Sequence, residues 1–347
     1  MNLLQPHFID GGGALDEEAI RHDVRHAIAH GFSGTMPMIN WTLPDDPRWN
    51  ELHRITLDEA RGRLPVHGVV AGADPERDVE VIRRLETLGV DLILLAVTHA
   101  PDISAEDLHL GLRRRIEATG LPVMLYAANG PRRSFAHLGP AGQPLDVYDR
   151  LADLGNVVGL KVSQPVTLTS TQQLLERLGD RLSIGPVNLD FVPLLARSHE
   201  IRWSGQWNAE AIQTPANPIG VQLLQACASG DFAEADTLAR RLQPVLDLFF
   251  SIQAPVIRAG GHPWQHNRYY SWLGGGNGGI LPPDPHARPG VVPELDAAGR
   301  AAIRAAFAAS GLTVTDAPDD VFAMGRAEWA RREEVCLQVP GHACQPV

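Results

Sequence analysis

Lysine is almost absent from this chain of 347 residues: it occurs once, as Lys161, whereas the other 29 of the 30 Lys and Arg residues are Arg. A guanidinium stays protonated and is a poor nucleophile, whereas a lysine amine can lose its proton and attack a carbonyl. The scarcity therefore excludes side-chain amine chemistry everywhere except at Lys161. A codon bias towards Arg, in keeping with the many Ala, Gly and Pro residues, explains the composition equally well. Composition alone leaves both interpretations open.

Features that define other classes of protein are missing as well. No apolar run reaches the roughly 18 residues of a membrane span, and the start MNLLQPHFIDGGG lacks the regions of a signal peptide. The formal net charge of −11 argues against nucleic-acid and anionic-membrane partners. Cys227, Cys336 and Cys344 are too few for a disulfide scaffold, although a Cys336–Cys344 bridge stays open. We therefore expect a cytoplasmic globular protein with reduced thiols.

What the chain does contain is a regular alternation of short apolar runs and amphipathic stretches. The runs recur at 33–39, 65–72, 91–98, 122–129, 157–163, 182–188 and 201–207, and LLQPHF (3–8) is a weaker eighth. Between them lie helical patterns such as 74–89 and 104–120, the second opened by a capping-box pattern from Ser104 to Asp107. Eight strand–helix units predict a (β/α)8 TIM barrel of the α/β class; an open doubly wound sheet is the alternative.

The strand pattern stops after about residue 215. We therefore predict a catalytic barrel domain over residues 1–220 and a C-terminal helical region over 221–347. In that region 221–252 is predicted to form two helices divided at Ser229–Gly230, and 296–311 a further helix. A Gly/Pro-rich loop (260–293) lies between them, and the role of the last thirty-odd residues stays open.

Lys161 falls near the end of the predicted sixth strand, and Tyr126 at the matching point of the fifth. Side chains at the carboxyl ends of strands are the ones that act in a βα barrel. An amine flanked by Val157, Val158 and Leu160 must be paired with an acid or held neutral, and the neutral form is the nucleophile. The sequence therefore points to a lysine nucleophile with a tyrosine that shuttles protons.

These segments resemble the pyruvate-dependent class I aldolases of the dihydrodipicolinate synthase and N-acetylneuraminate lyase superfamily. NVVGLKVS (156–163) is similar to the segment of the Schiff-base lysine and PVMLYAANG (122–130) to that of the catalytic tyrosine. The stretches 8–34, 69–98, 242–259 and 278–285 show weaker likeness. The resemblance implies a barrel in which Lys161 forms an imine with a 2-oxo acid and Tyr126 is the general acid and base. It also implies a homo-oligomer, a dimer or tetramer.

The chain departs from this family at the substrate. The Gly-Thr-Thr-Gly-Glu type motif after the second strand is replaced by PMINWTLPDD (37–46), and Thr98-His99-Ala100-Pro101 lacks the tyrosine that completes a proton relay in members that make dihydrodipicolinate. Lysine biosynthesis is therefore disfavoured, and a bulkier or aromatic substrate fits Trp41, His99 and Trp207 near the rim. Candidate substrate-binding residues are Asn40, Thr42, Thr98, His99, Arg132, Gly185, Asn188 and Gln206.

The resemblance implies a lyase that performs aldol cleavage or condensation on a 2-oxo acid, such as pyruvate or a derivative. It would need no metal or organic cofactor, since the lysine imine itself withdraws electrons. Two alternatives stay open: a hydro-lyase acting on a keto-deoxy sugar acid, and a catalytically degenerate member that binds a 2-oxo acid or merely assembles.

One further pattern invites a metal site. His22, His26 and His30 follow at i, i+4 and i+8 on the first predicted helix. No acidic or Cys partner at zinc spacing accompanies them. A solvated helix face is the favoured interpretation.

Overall fold

The structure, a computed structural model, describes residues 1–9, 12–38, 40–127, 135, 137–139, 142–163, 167–205 and 211–338. Its strands are β1 (Asn2–Leu4), β2 (Thr35–Pro37), β3 (His67–Val70), β4 (Leu92–Leu95), β5 (Val123–Ala127), β6 (Val157–Val162) and β7 (Ser183–Pro186). Each falls on or within one residue of a predicted apolar run. The predicted first strand ends early, at Leu4, because Pro6 has no N–H to give to a ladder.

The strands form a parallel wall in chain order. β1 pairs with β2, and β3 to β7 pair successively, all in parallel. Between β2 and β3 the amide of Thr35 donates to the carbonyl of Pro65 at 2.8 Å and bridges to Val66. Neighbouring strands follow one another along the chain without crossovers, as in a barrel. In a doubly wound sheet the strand order reverses at a switch point, so the alternative of an open sheet is excluded.

The predicted eighth strand departs from regularity. In its described part, 201–205, the chain forms no strand ladder. Side chains and one terminal amine hold it in the gap instead: Ser204 Oγ donates to the Pro186 carbonyl at 2.7 Å, and the Met1 amine donates to the Ser204 carbonyl at 3.1 Å. The segment therefore closes the barrel between β7 and β1.

Helices surround this wall and continue beyond it. They are α1 (Glu17–Ala29), α2 (Pro47–Ala60), α3 (Pro75–Leu88), α4 (Ala105–Ile116), α5 (Leu145–Leu151), α6 (Leu168–Leu178), α7 (Val192–Leu195), α8 (Ile219–Ser229), α9 (Phe232–Arg258), α10 (Trp264–Leu273), α11 (Ala297–Ala309), α12 (Asp319–Met324) and α13 (Arg326–Gln338), with a 3-10 turn at Leu189–Phe191. Within the described ranges, none of these helices is both long and apolar enough to cross a membrane.

Helix ends follow the residues that the sequence provides. Ser104 caps α4 by accepting from the Asp107 amide at 3.0 Å, which is half of the predicted capping box; the Asp107 carboxylate accepts from the Ser104 hydroxyl at 2.7 Å. The helix ends at Ile116 rather than at Gly120. Gly230 adopts φ +77° and separates α8 from α9, which confirms the predicted division. The second helix runs on past residue 252 to Arg258.

Alternating strand residues fill two layers. One set forms a small cluster inside the barrel, with Met36, Val69, Leu94 and Met124 among its members. The other set points outwards and joins a larger cluster with the surrounding helices, and that cluster continues into α9, α10 and α11. Residues two apart on a strand therefore share the interior face, which fixes which side chains can meet there.

The C-terminal region packs on the barrel through buried polar contacts. Arg268, only 3% exposed, donates to the Pro6 carbonyl at 2.6 Å. Asn277 donates its backbone amide to Asp23 Oδ1 of α1 at 2.7 Å. In α13, Arg331 binds both carboxylate oxygens of Asp16, the residue that caps α1. The barrel and the helical region thus share one packed interface; the domain boundary at 220 stays a prediction.

Candidate active site

Tyr126 and Lys161 occupy the same level of the barrel wall. They are direct register partners on β5 and β6, and Gly185 on β7 is the partner of Lys161 on its other side. All three lie close to the carboxyl ends of their strands, where βα barrels place their chemistry. The structure thus brings together the two residues that the sequence singles out for catalysis.

The side chain of Lys161 is almost entirely enclosed, with 2% of its surface exposed. Its Nζ lies 5.4 Å from the centre of the Tyr126 ring. Its Cε borders Gly205, where a side-chain Cβ would come within 3.3 Å of it and within 2.8 Å of both Met1 Cε and Trp203 Cζ3. The amine therefore sits beside the Tyr126 ring in a chamber that Met1 and Trp203 also line.

His67 of β3 is a buried histidine on which the charges of Lys161 and of the amino terminus act. Burial, with smaller contributions from the positive charges of the amino terminus and of Lys161, lowers the pKa of His67 to about 4. The His67 ring lies against the sulfur of Met1, with Nδ1 2.9 Å from Sδ. A neutral imidazole adds no further positive charge near the Lys161 amine.

Tyr126 is held at both ends. Its hydroxyl donates to Ser163 Oγ at 2.8 Å, and its backbone carbonyl accepts from the Tyr148 hydroxyl at 3.3 Å. Ser163 is 3% exposed and lies two residues beyond Lys161, hence on the same face of the chain. The sequence analysis missed Ser163, although its spacing from Lys161 was a usable signal.

Two predicted binding residues follow β4. Thr98 donates its amide to the Gly72 carbonyl at 3.0 Å and its hydroxyl to the Ala71 carbonyl at 3.4 Å, which ties the ends of β3 and β4 together. The His99 ring is tilted against Phe135, with ring centres 5.7 Å apart, and both residues border a small cavity that Tyr126 also lines. His99 therefore lies near Tyr126, and Thr98 joins the ends of β3 and β4.

The other predicted binding residues are more scattered. Thr42 is fully buried and donates to the Met38 carbonyl at 3.4 Å, so its hydroxyl closes a turn after β2. Asn40 is half-buried in the same loop, and Asn188 precedes the 3-10 turn after β7. Gly185 faces the ring of Trp203. Arg132, Gln206 and Trp207 lie outside the described residues, so their roles stay predictions.

The solvated face predicted for the histidine stripe is wrong. His26 and His30 are 9% and 0% exposed, since the loop after α10 and the chain near Gln213 cover α1. His22 Nε2 bonds the Gly275 carbonyl at 2.9 Å and His26 Nε2 the Gly274 carbonyl at 3.0 Å, while His30 Nδ1 meets Gln213 Nε2 at 3.1 Å. The loop after α10 and the chain near Gln213 thus pack on this stripe, and no local pattern in the sequence indicates these partners.

The rim at β2 is also covered by the extension. Trp41 Nε1 donates to the carbonyls of Pro282 and Pro283, each at 3.2 Å. Its indole N–H is therefore engaged by the chain's own loop.

The parallel strands and the helices around them define a βα barrel, a class of protein whose active sites lie at the carboxyl ends of the strands. Lys161 and Tyr126 lie side by side at that end. The chain belongs to the dihydrodipicolinate synthetase family, whose model matches residues 7–258. That match includes β2 to β7 and α1 to α9, and it leaves out β1 and α10 to α13.

Individual relatives agree with this assignment. A 4-hydroxy-tetrahydrodipicolinate synthase from Rhodopseudomonas palustris is 28% identical over 247 residues, which are 69% of this chain and 77% of the relative. The solved dihydrodipicolinate synthase from Thermotoga maritima superposes with a TM-score of 0.67 at 18% identity, covering 89% of this chain and 97% of that one. A prophage protein of the dihydrodipicolinic acid synthase family from E. coli K12, solved in complex with pyruvate, gives 0.68 at 17% identity, covering 90% and 98%.

The solved relatives confirm the TIM-barrel fold, and family membership supports a pyruvate-dependent class I aldolase or lyase in general terms.

Proposed function

We propose that the protein is a lyase in which Lys161 forms an imine with a 2-oxo acid such as pyruvate and makes or breaks a carbon–carbon bond. The observation that carries the proposal is the enclosed amine of Lys161 at the register position next to Tyr126. Family membership supports the same reaction class.

The proposed sequence of steps uses these two side chains. The neutral amine attacks the C2 carbonyl, and the resulting carbinolamine loses its hydroxyl as water when Tyr126 supplies a proton. The protonated imine draws electrons from C3, and the tyrosine phenolate removes a C3 proton to give the enamine. In condensation the enamine then attacks an aldehyde. In the reverse direction, cleavage of the C3–C4 bond generates the enamine on Lys161 and releases the aldehyde. The imine itself is the electron sink in this scheme, so the proposal calls for no metal or organic cofactor.

Borohydride trapping tests the imine directly. The protein is incubated with pyruvate and with a panel of larger 2-oxo acids, reduced, and its intact mass measured. One reduced adduct per chain is expected, and it is expected to vanish in Lys161→Arg and Lys161→Met. Because the only other amine of the chain is that of Met1, an adduct that survives both substitutions would place the nucleophile elsewhere.

Proton exchange tests the next step without knowledge of the aldehyde. In D2O the imine and enamine interconvert and replace the C3 protons of pyruvate by deuterium, which proton NMR follows. Trapping without exchange would indicate a member that binds a 2-oxo acid but has lost its proton carrier. Loss of water from a keto-deoxy sugar acid, seen in the same spectra, would favour the hydro-lyase.

A further inference from the structure

We propose that Ser163 is a positioning residue for Tyr126: it holds the phenol in place and then stabilises the phenolate formed when the proton leaves. The inference rests on the proposed imine function and adds a third residue to it. It follows from the hydrogen bond between the Tyr126 hydroxyl and Ser163 Oγ, 2.8 Å long, inside the site.

Ser163 has a fixed place at the end of β6. Its backbone amide donates to the Ala127 carbonyl of β5 at 2.6 Å, one residue beyond Tyr126. Its side chain is 3% exposed. It lies two positions after Lys161, so both side chains leave the strand on the same face. The hydroxyl is therefore held by the backbone at the level of the catalytic pair.

The phenol it contacts is equally constrained. Tyr148, 2% exposed, donates its hydroxyl to the Tyr126 carbonyl at 3.3 Å, and the strand register places the ring beside Lys161. A tyrosine with a fixed backbone and a fixed hydroxyl loses little freedom when it meets substrate, which is how preorganised groups lower a barrier.

A serine hydroxyl suits both protonation states of the phenol, because it can accept one hydrogen bond and donate another. While Tyr126 is neutral, its O–H donates to Ser163 Oγ. When that proton moves to the carbinolamine hydroxyl, which departs as water, the Ser163 O–H can turn and donate to the phenolate. The phenolate then takes the C3 proton, the enamine forms, and the phenol is restored. The serine itself neither gains nor loses a proton.

A hydrogen bond to a charged group is stronger than one to a neutral group. Ser163 therefore stabilises the phenolate more than the phenol, and its loss makes the proton harder to release. From the usual strength of such bonds we expect Ser163→Ala to slow C3 exchange by about 10- to 100-fold.

The pH profile separates this role from simple packing. In Ser163→Ala, the limb of the exchange-rate profile that reports the phenol's ionisation is expected to move to higher pH. Ser163→Thr, which keeps a hydroxyl, is expected to restore rate and profile, and Ser163→Cys, a weaker hydrogen-bonding group of similar shape, to fall between them.

Ser170→Ala is the matched control. Ser170 is also a buried serine, 2% exposed, and its hydroxyl accepts from the Thr167 amide in the capping box of α6, the helix after β6. Its loss weakens the fold in the same βα unit without touching Tyr126, so exchange rate and pH profile should match those of the unmodified protein.

Three results would overturn the role. The role is contradicted if a folded Ser163→Ala variant keeps the exchange rate and the pH profile of the unmodified protein. It is also contradicted if the variant is slower but its pH profile does not shift. Ser163→Thr with no recovery of exchange contradicts it as well. If the unmodified protein gives no borohydride adduct, the proposed function fails and this role fails with it; an adduct together with an unaffected Ser163→Ala rejects only the role.

Discussion

Gly185 and Trp203 fit together so closely that no side chain could stand between them. A Cβ at position 185 would lie 2.5 Å from both Cδ2 and Cζ2 of the indole. The ring is also held by β7 itself, since its Nε1 donates to Ser183 Oγ at 3.0 Å. Trp203 and Lys161 border the same space beside Gly205. By fixing the position of the indole, Gly185 therefore determines one wall of the chamber around the amine.

We expect Gly185→Ala to lower the free energy of unfolding by about 1–3 kcal/mol, the usual cost of overpacking a core. Displacement of the indole should also slow imine trapping by pyruvate. Urea unfolding and the trapping rate measure the two effects. Gly155→Ala, where a Cβ meets nothing within 4 Å, should change neither; an unaffected Gly185→Ala would show that the indole moves aside freely.

Tyr126→Phe should separate imine formation from proton transfer. Lys161 keeps its amine, so borohydride still traps pyruvate, but C3 exchange should fall by about 10²- to 10⁴-fold, the usual contribution of a positioned acid–base group. Tyr270→Phe is the control, because the Tyr270 hydroxyl is buried without a hydrogen-bond partner in the described structure. It should keep full exchange and unfold no more easily. Exchange at the native rate in Tyr126→Phe would assign the proton transfer to another group.

The barrel and the pair Lys161 and Tyr126 could be predicted because local patterns encode them. Apolar runs of strand length mark β2 to β7, and equal distances from the strand ends place the two residues side by side. The register then follows from parallel pairing. Ser163 needed one further step, the rule that residues two apart share a face.

What failed depends on distant parts of the chain. The histidines of α1 read as a polar face, since nothing within their own helix shows that Gly274 and Gly275 bond them. The segment 201–205 read as a strand because its apolar pattern fits one, yet side chains rather than a ladder hold it. Long-range partners of this kind leave little trace in a local sequence pattern.

The buried histidines predict acid sensitivity. Burial lowers the pKa of His53, His67 and His266 to about 4 in each case. In the unfolded chain these rings take up protons near pH 6.5, whereas in the folded protein they stay neutral down to about pH 4. Their contribution to stability is therefore complete above pH 6.5 and is lost as pH falls towards 4.

At pH 5 each such histidine should lower the free energy of unfolding by about 2 kcal/mol relative to pH 7. Urea unfolding between pH 7 and pH 5 measures the loss. His53→Gln should reduce the slope by about one proton, and the exposed His286→Gln should leave it unchanged. A free energy of unfolding that is flat over this range would contradict the neutral, buried state of these rings.

Asn277 links the barrel to the last helix, and its removal tests that link. Its side chain, in a residue 3% exposed, accepts from the Ala327 amide of α13 at 2.9 Å and meets His7 Nδ1 at 3.3 Å. Asn277→Ala leaves these buried groups unpaired, at a cost of about 1–3 kcal/mol. We therefore expect α13 to become the first site of protease cleavage. Asn50→Ala, at an exposed position, should stay within about 0.5 kcal/mol; equal protease resistance of α13 in both variants would mean that its other contacts, such as the Arg331–Asp16 ion pair and the bonds of Arg326 to the Gly276 and Trp272 carbonyls, suffice to hold it.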